Sequence, residues 1–314
     1  MATLSNKIDF AVILTVKRAN PNGDPLNGNR PRVDYDGFGE FSDVCIKRKA
    51  RNRWMDMGEE IFVQSDDKRK DEYRSLRSRA EGVLKNIDMS DDKKYREAAC
   101  KQWIDVRAFG QVFAYKAANK KIKKGKETVD AEDEKGDSAG VSIGIRGPVS
   151  VHSAFSVAPI LDRTSSIQIT KSVSGEGDGS KKGSDTMGMK HRVNHGVYTF
   201  YGSINPQLAA LPSGTGFSDK DADALKEALR TLFVNDESSA RPAGSMEVHK
   251  VYWWKHNSKI GQYSTAKVHR SVEKKLKLND GITEPNSIDD YHIPDRSEIE
   301  NELPGLKVDI LDGE

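Results

Sequence analysis

The sequence predicts an α+β fold, and three observations carry that expectation. An apolar run at 8–16 is hydrophobic on both of its alternations. Strand-like segments around 141–155 and 197–204 follow it after a long helical stretch. A capped amphipathic helix beginning at Ser218 then leads into a last strand at 247–254. Strand, helix, two strands, helix, strand is a βαββαβ skeleton, and its loops hold large insertions.

Each element has a local reason. In the first run Ile8, Phe10, Val12, Leu14 and Val16 line one face while Ala11 and Ile13 line the other, the pattern of a central strand covered on both sides. It ends in Asn20-Pro21-Asn22-Gly23-Asp24-Pro25, where the prolines fix φ and Asn22-Gly23 supplies residues that tolerate positive φ. Taken alone, such a loop simply reverses the chain. The segment after it is a helix at 43–57, with Ser42 or Asp43 as N-cap and Ile46, Ala50, Trp54, Met57 and Ile61 on one face. Lys47, Arg48, Lys49, Arg51 and Arg53 occupy the remaining surface with almost no carboxylate nearby in sequence. A solvated helix normally mixes signs to gain i,i+4 pairs. A strand that passes through a stiff polar loop into a cationic helix is therefore read as an anion site, and RNA as the expected anion.

Helical character extends over about 43–118, with weak periodicity and many charges at 64–95, the marks of an insertion. The stretch 119–140 has almost no large apolar residue and is expected to be an exposed or disordered loop. Strand character resumes at 141–145 and again at Val149, Val151 and Phe155. Residues 167–173 are expected to form the outgoing arm of a hairpin with a Gly- and Lys-rich tip at 174–188. From Ser218 a helix carries Asp219 and Asp221 in its first turn and Leu225, Leu229, Leu232 and Phe233 on one face. The tail from 279, punctuated by Pro285, Pro294 and Pro304, is expected to be irregular. The resulting order is ferredoxin-like, as in RNA-recognition modules, but the aromatic stacking motifs of those modules are absent, so the sheet face is not the expected RNA platform.

Composition narrows the function classes. In 314 residues no run of about 18 apolar residues occurs, so no membrane span is expected. The start of the chain lacks the build of a signal peptide, and Cys45 and Cys100 are read as small buried residues; both fit a reducing cytoplasm. Net charge is only +2, but it is unevenly spread, with basic clusters at 47–53 and 116–126 beside an acidic stretch at 127–137. That polarity suits one nucleic-acid face and other faces that meet partners of opposite sign.

Five separated pieces, in order, resemble one family: the strand with Asn-Pro-Asn-Gly-Asp-Pro; the 42–53 segment with Cys-Ile-Lys-Arg; Asp105-Val-Arg-Ala-Phe-Gly110; Gly144-Ile-Arg-Gly-Pro-Val149; and Asp185-Thr-Met-Gly leading into Gly196-Val-Tyr. The family is the backbone subunits of type I CRISPR surveillance complexes (Cascade), most closely the type I-C branch. The resemblance implies a single elaborated domain over 1–314. Its RNA-recognition-like palm would lie at approximately 1–54, 141–160 and 196–278, its helical fingers insertion at 55–140, its thumb hairpin at 160–195, and an irregular tail at 279–314. It further implies copies stacked head to tail on CRISPR RNA, presenting the guide for pairing with invading target DNA in antiviral defence. The expected partners are the large, small and guide-end-capping subunits and a recruited helicase-nuclease. No cofactor, metal or catalytic residue is expected. The implied RNA-binding residues are Arg30, Arg32, Ser42, Lys47, Lys49 and Arg51, with Met187 and Met189 as base-wedge candidates in the thumb.

Two rival readings stay open. Related type III backbone subunits cut target RNA with a loop aspartate and a metal, and Asp24, Asp34, Asp36 and Asp43 lie near the basic helix; carboxylates beside a stiff turn more often satisfy backbone N–H groups. His191 and His195 are four apart but fall in an expected hairpin, so a solvated or RNA-contacting role is expected of them. The other rival is a general RNA-binding protein that does not assemble.

Overall fold

Both alternations of the first strand are buried because helices cover the sheet on both sides. The computed structural model describes residues 2–115, 141–160, 163–170 and 186–314. Strands β1 (Ile8–Ala19), β2 (Gly23–Asp24), β3 (Arg30–Pro31) and β4 (Phe38–Phe41) precede the helices α1 (Asp43–Asp56), α2 (Leu76–Val83), α3 (Asp92–Gln102) and α4 (Ile104–Phe109). Then come β5 (Gly110–Tyr115), β6 (Val141–Arg146), β7 (Val149–Val151), β8 (Ala154–Pro159), β9 (Arg163–Thr170) and β10 (Thr186–Ile204). The chain closes with α5 (Pro206–Ala209), α6 (Asp219–Arg230), β11 (Met246–Lys255), α7 (Thr265–Glu273), β12 (Lys277–Leu278), β13 (Tyr291–His292), α8 (Arg296–Glu302) and β14 (Asp309–Asp312).

The main sheet runs β14-β11-β1-β10-β8-β4, antiparallel throughout, with β7 and β9 also paired to β10. Within it, β11-β1-β10-β8 with α1 after β1 and α6 before β11 is the βαββαβ arrangement expected from sequence. Phe10, Val12, Leu14, Phe200 and Val251 bury against Ile46, Ala50 and Trp54 of α1 and Leu225 and Leu229 of α6. On the opposite face Ala11, Ile13, Val197, Tyr252 and Trp254 bury against Val268 and Val272 of α7, Ile299 of α8, and Leu303, Leu306 and Val308. Each fully buried large side chain contributes about 1.5–3 kcal/mol, so both layers are integral. A third core, with Phe62, Tyr95, Trp103 and Phe113, belongs to the helical insertion.

Several expectations need correction. The tail from 279 is not irregular: it supplies α8 and the edge strand β14, whose Asp309, Ile310, Leu311 and Asp312 pair with β11. The prolines there bound short elements, and the apolar residues between them cover the second sheet face. Helical character ends at Phe109; residues 110–115 form β5, which pairs with β6. The segment 141–146, assigned with the palm sheet, therefore pairs with the insertion, and the main sheet resumes at Val149. Helix α7 was not anticipated. The expected loop at 119–140, the basic cluster at 116–126 and residues 174–185 of the expected hairpin tip at 174–188 lie outside the described residues; 186–188, expected in that tip, belong to β10.

Candidate nucleic-acid interface

The loop after β1 is knitted to the start of α1. Buried Asn20 donates its side-chain amide to the Asn29 carbonyl at 2.7 Å, and the Ser42 N–H donates to Asn22 Oδ1 at 2.9 Å. Pro25 begins a 3-10 turn over Pro25–Asn27, and Asp24 caps it by accepting from the Leu26 N–H at 3.1 Å. Positive φ falls at Gly28 and Asn29 rather than at Asn22-Gly23. Gly23 is needed instead for close approach, because a Cβ there would collide with the Asn29 side chain.

This scaffold places the candidate cations unequally. Arg30 is exposed on β3. Arg32 lies between Asp24 and Glu40, at 3.9 and 4.0 Å, and its buried Nε has no hydrogen-bond partner among the described residues. Ser42 is the N-cap of α1, its Oγ accepting from the Cys45 N–H at 3.3 Å. The Asp43 N–H donates to Ser153 Oγ, so little of the first turn is left free for an anion. Lys47 is partly exposed and pairs with Asp43 at 2.9 Å, one helical turn away.

Lys49 has to be removed from the set. Its side chain is 3% exposed, its ammonium is bound by Asp236, and it packs over the Phe233 ring. Burial pushes its pKa down, and Asp236 opposes that shift. Arg51 is a strut as much as a surface cation: its Nε bonds Asp105 Oδ2 at 2.9 Å and its guanidinium lies over Phe109. Arg48 donates to the Val63 carbonyl at 2.7 Å and Arg53 to Thr231 Oγ1 at 2.7 Å. Apart from Lys47, which pairs with Asp43 of its own first turn, the cations of this helix find their partners through the fold.

Sequence reasoning named Asp105 only as part of a motif and did not single out Asp236, so the roles of both come from the structure. Asp105 also accepts from the Phe62 and Val63 N–H groups, at 2.8 and 3.1 Å. Its segment forms a hub: Arg107 pairs with Asp221 at 2.7 Å, Phe109 packs on Trp54, and Gly110 takes φ +79°. An acid and a base, Asp105 and Arg107, set among the apolar residues of α4 were the available signal.

At the hairpin, Thr186 to Arg192 of β10 pair with β9 beyond the end of β1. Met187 and Met189 are 72% and 58% exposed, and Met189 stands opposite Ile167, which is 68% exposed. His191, expected to be solvated, is buried instead and shares a 2.7 Å hydrogen bond with Ser165. His195 packs near Tyr291, and burial lowers its pKa. The candidate carboxylates are engaged locally: Asp34 accepts from the Asp36 and Phe38 N–H groups, and Asp43 holds Lys47. Among the described residues no group of three or more His, Cys, Asp or Glu is placed to hold a metal ion. No helix among them is long and apolar enough to cross a membrane.

Fold and site together define a βαββαβ protein with a helical insertion, a projecting hairpin and a loop–helix edge that carries the remaining accessible cations. The chain belongs to the Cas7 family: the family model for CRISPR-associated protein Cas7 matches residues 6–295. A CRISPR-associated protein Cas7 of Haloferax volcanii is 27% identical over 251 residues, 78% of this chain and 68% of that one. Two chains of solved CRISPR RNA-guided surveillance complexes, one of them described as pre-nicking, align with TM-scores of 0.44. The pre-nicking one is 14% identical, covering 94% of this chain and 87% of that chain; the other is 17% identical, covering 98% and 89%.

Proposed function

We propose that this chain is a backbone subunit of a type I-C CRISPR surveillance complex, stacking head to tail on CRISPR RNA and holding it for pairing with target DNA. In this reading the sheet with α1 and α6 is the palm, the α2–α4 insertion with β5 and β6 is the fingers, and the β9–β10 hairpin is the thumb. The observation that carries it, beside family membership, is the exposed apolar face of that hairpin. Two methionines more than half exposed on a projecting ribbon have no folding role there, and a flexible apolar side chain enters between bases of any identity. Arg30, Arg32, Lys47 and the exposed part of Arg51 hold guide phosphates, which suits a subunit that must accept every guide sequence. The engaged state of Asp24, Asp34 and Asp43 favours a passive scaffold over a nuclease.

RNA co-purified with the chain tests this. One defined length class bound by several copies of the chain is expected. A heterogeneous RNA smear on a monomer would overturn the proposal and leave a general RNA-binding protein.

A further inference from the structure

Helices α1 and α7 hold their cations in opposite electrostatic states. On α1 the cations are bound by Asp43, Asp105, Asp236, a carbonyl and a hydroxyl. Lys267 and Arg270 of α7 and its C-cap Lys274 follow at spacings of three and four, and Lys277 comes three residues later in β12; all four are exposed. None of Arg270, Lys274 and Lys277 has an ion-pair partner among the described residues, whereas neighbouring Lys275 pairs with Glu302 at 3.6 Å. Lys267 lies 4.3 Å over the Tyr263 ring. Glu273, the exposed acid of the same helix, forms no ion pair with the stripe among the described residues, and like charges one turn apart repel, so a bound polyanion would relieve that repulsion.

We propose that α7 carries a second nucleic-acid path, one that binds a single strand distinct from the guide. This rests on the reading above for the guide's own position. Helix α7 packs on the sheet face opposite α1, since Val268 and Val272 join Ala11 and Ile13 while α1 joins Phe10 and Val12. The two surfaces therefore cannot hold the same stretch of strand. From Lys267 to Lys274 the backbone rises about 10 Å, so these cations can meet successive phosphates along one strand.

Flat rings beside the stripe favour nucleic acid over an acidic peptide. His152 is exposed and meets the buried ring of His269 edge-on at 5.6 Å; His269 immediately precedes Arg270, and its Nε2–H donates to the Gly202 carbonyl at 3.0 Å. Phe155, 44% exposed, stands on the same sheet face, because it is paired with Thr199 and alternates with Ala154, which faces the other core. Cations with interleaved aromatic faces form the platform on which unpaired bases stack, independently of sequence.

The test compares wild type with Arg270→Gln/Lys274→Gln/Lys277→Gln, using the chain as purified with its accompanying RNA and a labelled oligodeoxythymidine probe. The variant is expected to bind the probe roughly tenfold more weakly at low salt, with a salt-dependence slope shallower by about 2, three lost contacts at roughly 0.7 each. Its content of co-purified RNA is expected to equal that of wild type, and that readout reports the guide reading separately. A poly-uridine probe shows whether RNA is accepted as readily as DNA. Unchanged probe affinity and slope would overturn the proposal and leave the stripe to an acidic protein surface or to solvent. A well-resolved melting transition at the wild-type temperature shows that the variant is folded, since all three side chains are exposed.

Discussion

Arg51 Nε sits 2.9 Å from a carboxylate oxygen of Asp105, a residue 1% exposed, and this pair ties α1 to α4. Both Asp105 oxygens are in use, since the Phe62 and Val63 N–H groups donate to them as well. One side chain of the basic helix therefore anchors the insertion to the sheet layer. Removing one partner of such a buried pair costs about 3–5 kcal/mol, because the other is left as an uncompensated charge. Asp105→Ala is expected to lower stability by that amount in urea unfolding, and Arg51→Ala by less, since it leaves two donors on Asp105. The two changes combined should cost less than their sum. Additive losses would show that the residues do not act as a pair.

Lys47 and Lys49 are two residues apart and should answer charge reversal differently. Lys47→Glu is expected to leave unfolding within about 0.5 kcal/mol of wild type while lowering co-purified RNA. Lys49→Glu would bury a carboxylate against Asp236 and is expected to destabilise the fold or prevent it. Equal thermal shifts for the two variants would contradict the burial of Lys49.

Met187→Ser/Met189→Ser tests the hairpin. Both side chains are exposed, so the melting temperature should not move, whereas the length of RNA protected from nuclease in the assembled particle should become irregular. A wild-type protection pattern would place the wedge elsewhere.

Asp24→Ala removes the cap of a 3-10 turn, a cost of about 0.5–2 kcal/mol, and is expected to leave bound complementary RNA as intact as wild type leaves it in magnesium buffer. Periodic cleavage by wild type that disappears in the variant would make this chain a nuclease.

Acid lability follows from Asp9. It is fully buried and bonded to His256 at 2.9 Å, Lys7 at 3.0 Å and Thr265 at 2.9 Å. Burial alone would raise its pKa, but the hydrogen bonds from His256 and Lys7 hold it below its ordinary 3.8. A depressed carboxylate contributes stability in full above its unfolded value, and that stability disappears as pH falls through the lower folded value. Unfolding free energy should thus drop below about pH 4, close to the value of a free aspartate, roughly 3.9, and the drop should be smaller in Asp9→Asn. A parallel pH profile for the two would remove Asp9 from the account.

The sequence by itself determined the elements whose signals are local. The two-sided burial of β1 is written in its own alternation, and the α1 stripe of Ile46, Ala50 and Trp54 in its spacing. The α6 capping box needs only Ser218 and Asp221, and the turn at Asp24 only its own residues. Tertiary structure alone decided what the charges do. Lys49 meets Asp236 across 187 positions and Arg51 meets Asp105 across 54, so a helix that reads as a free cationic face is largely neutralised. It also decided that β5 leaves the helical stretch to pair with β6, and that a proline-punctuated tail joins α7 in covering the second sheet face. An electrostatic partner can come from any point in the chain that folding brings within about 4 Å. Periodicity reports which face a residue is on, but not what lies opposite it.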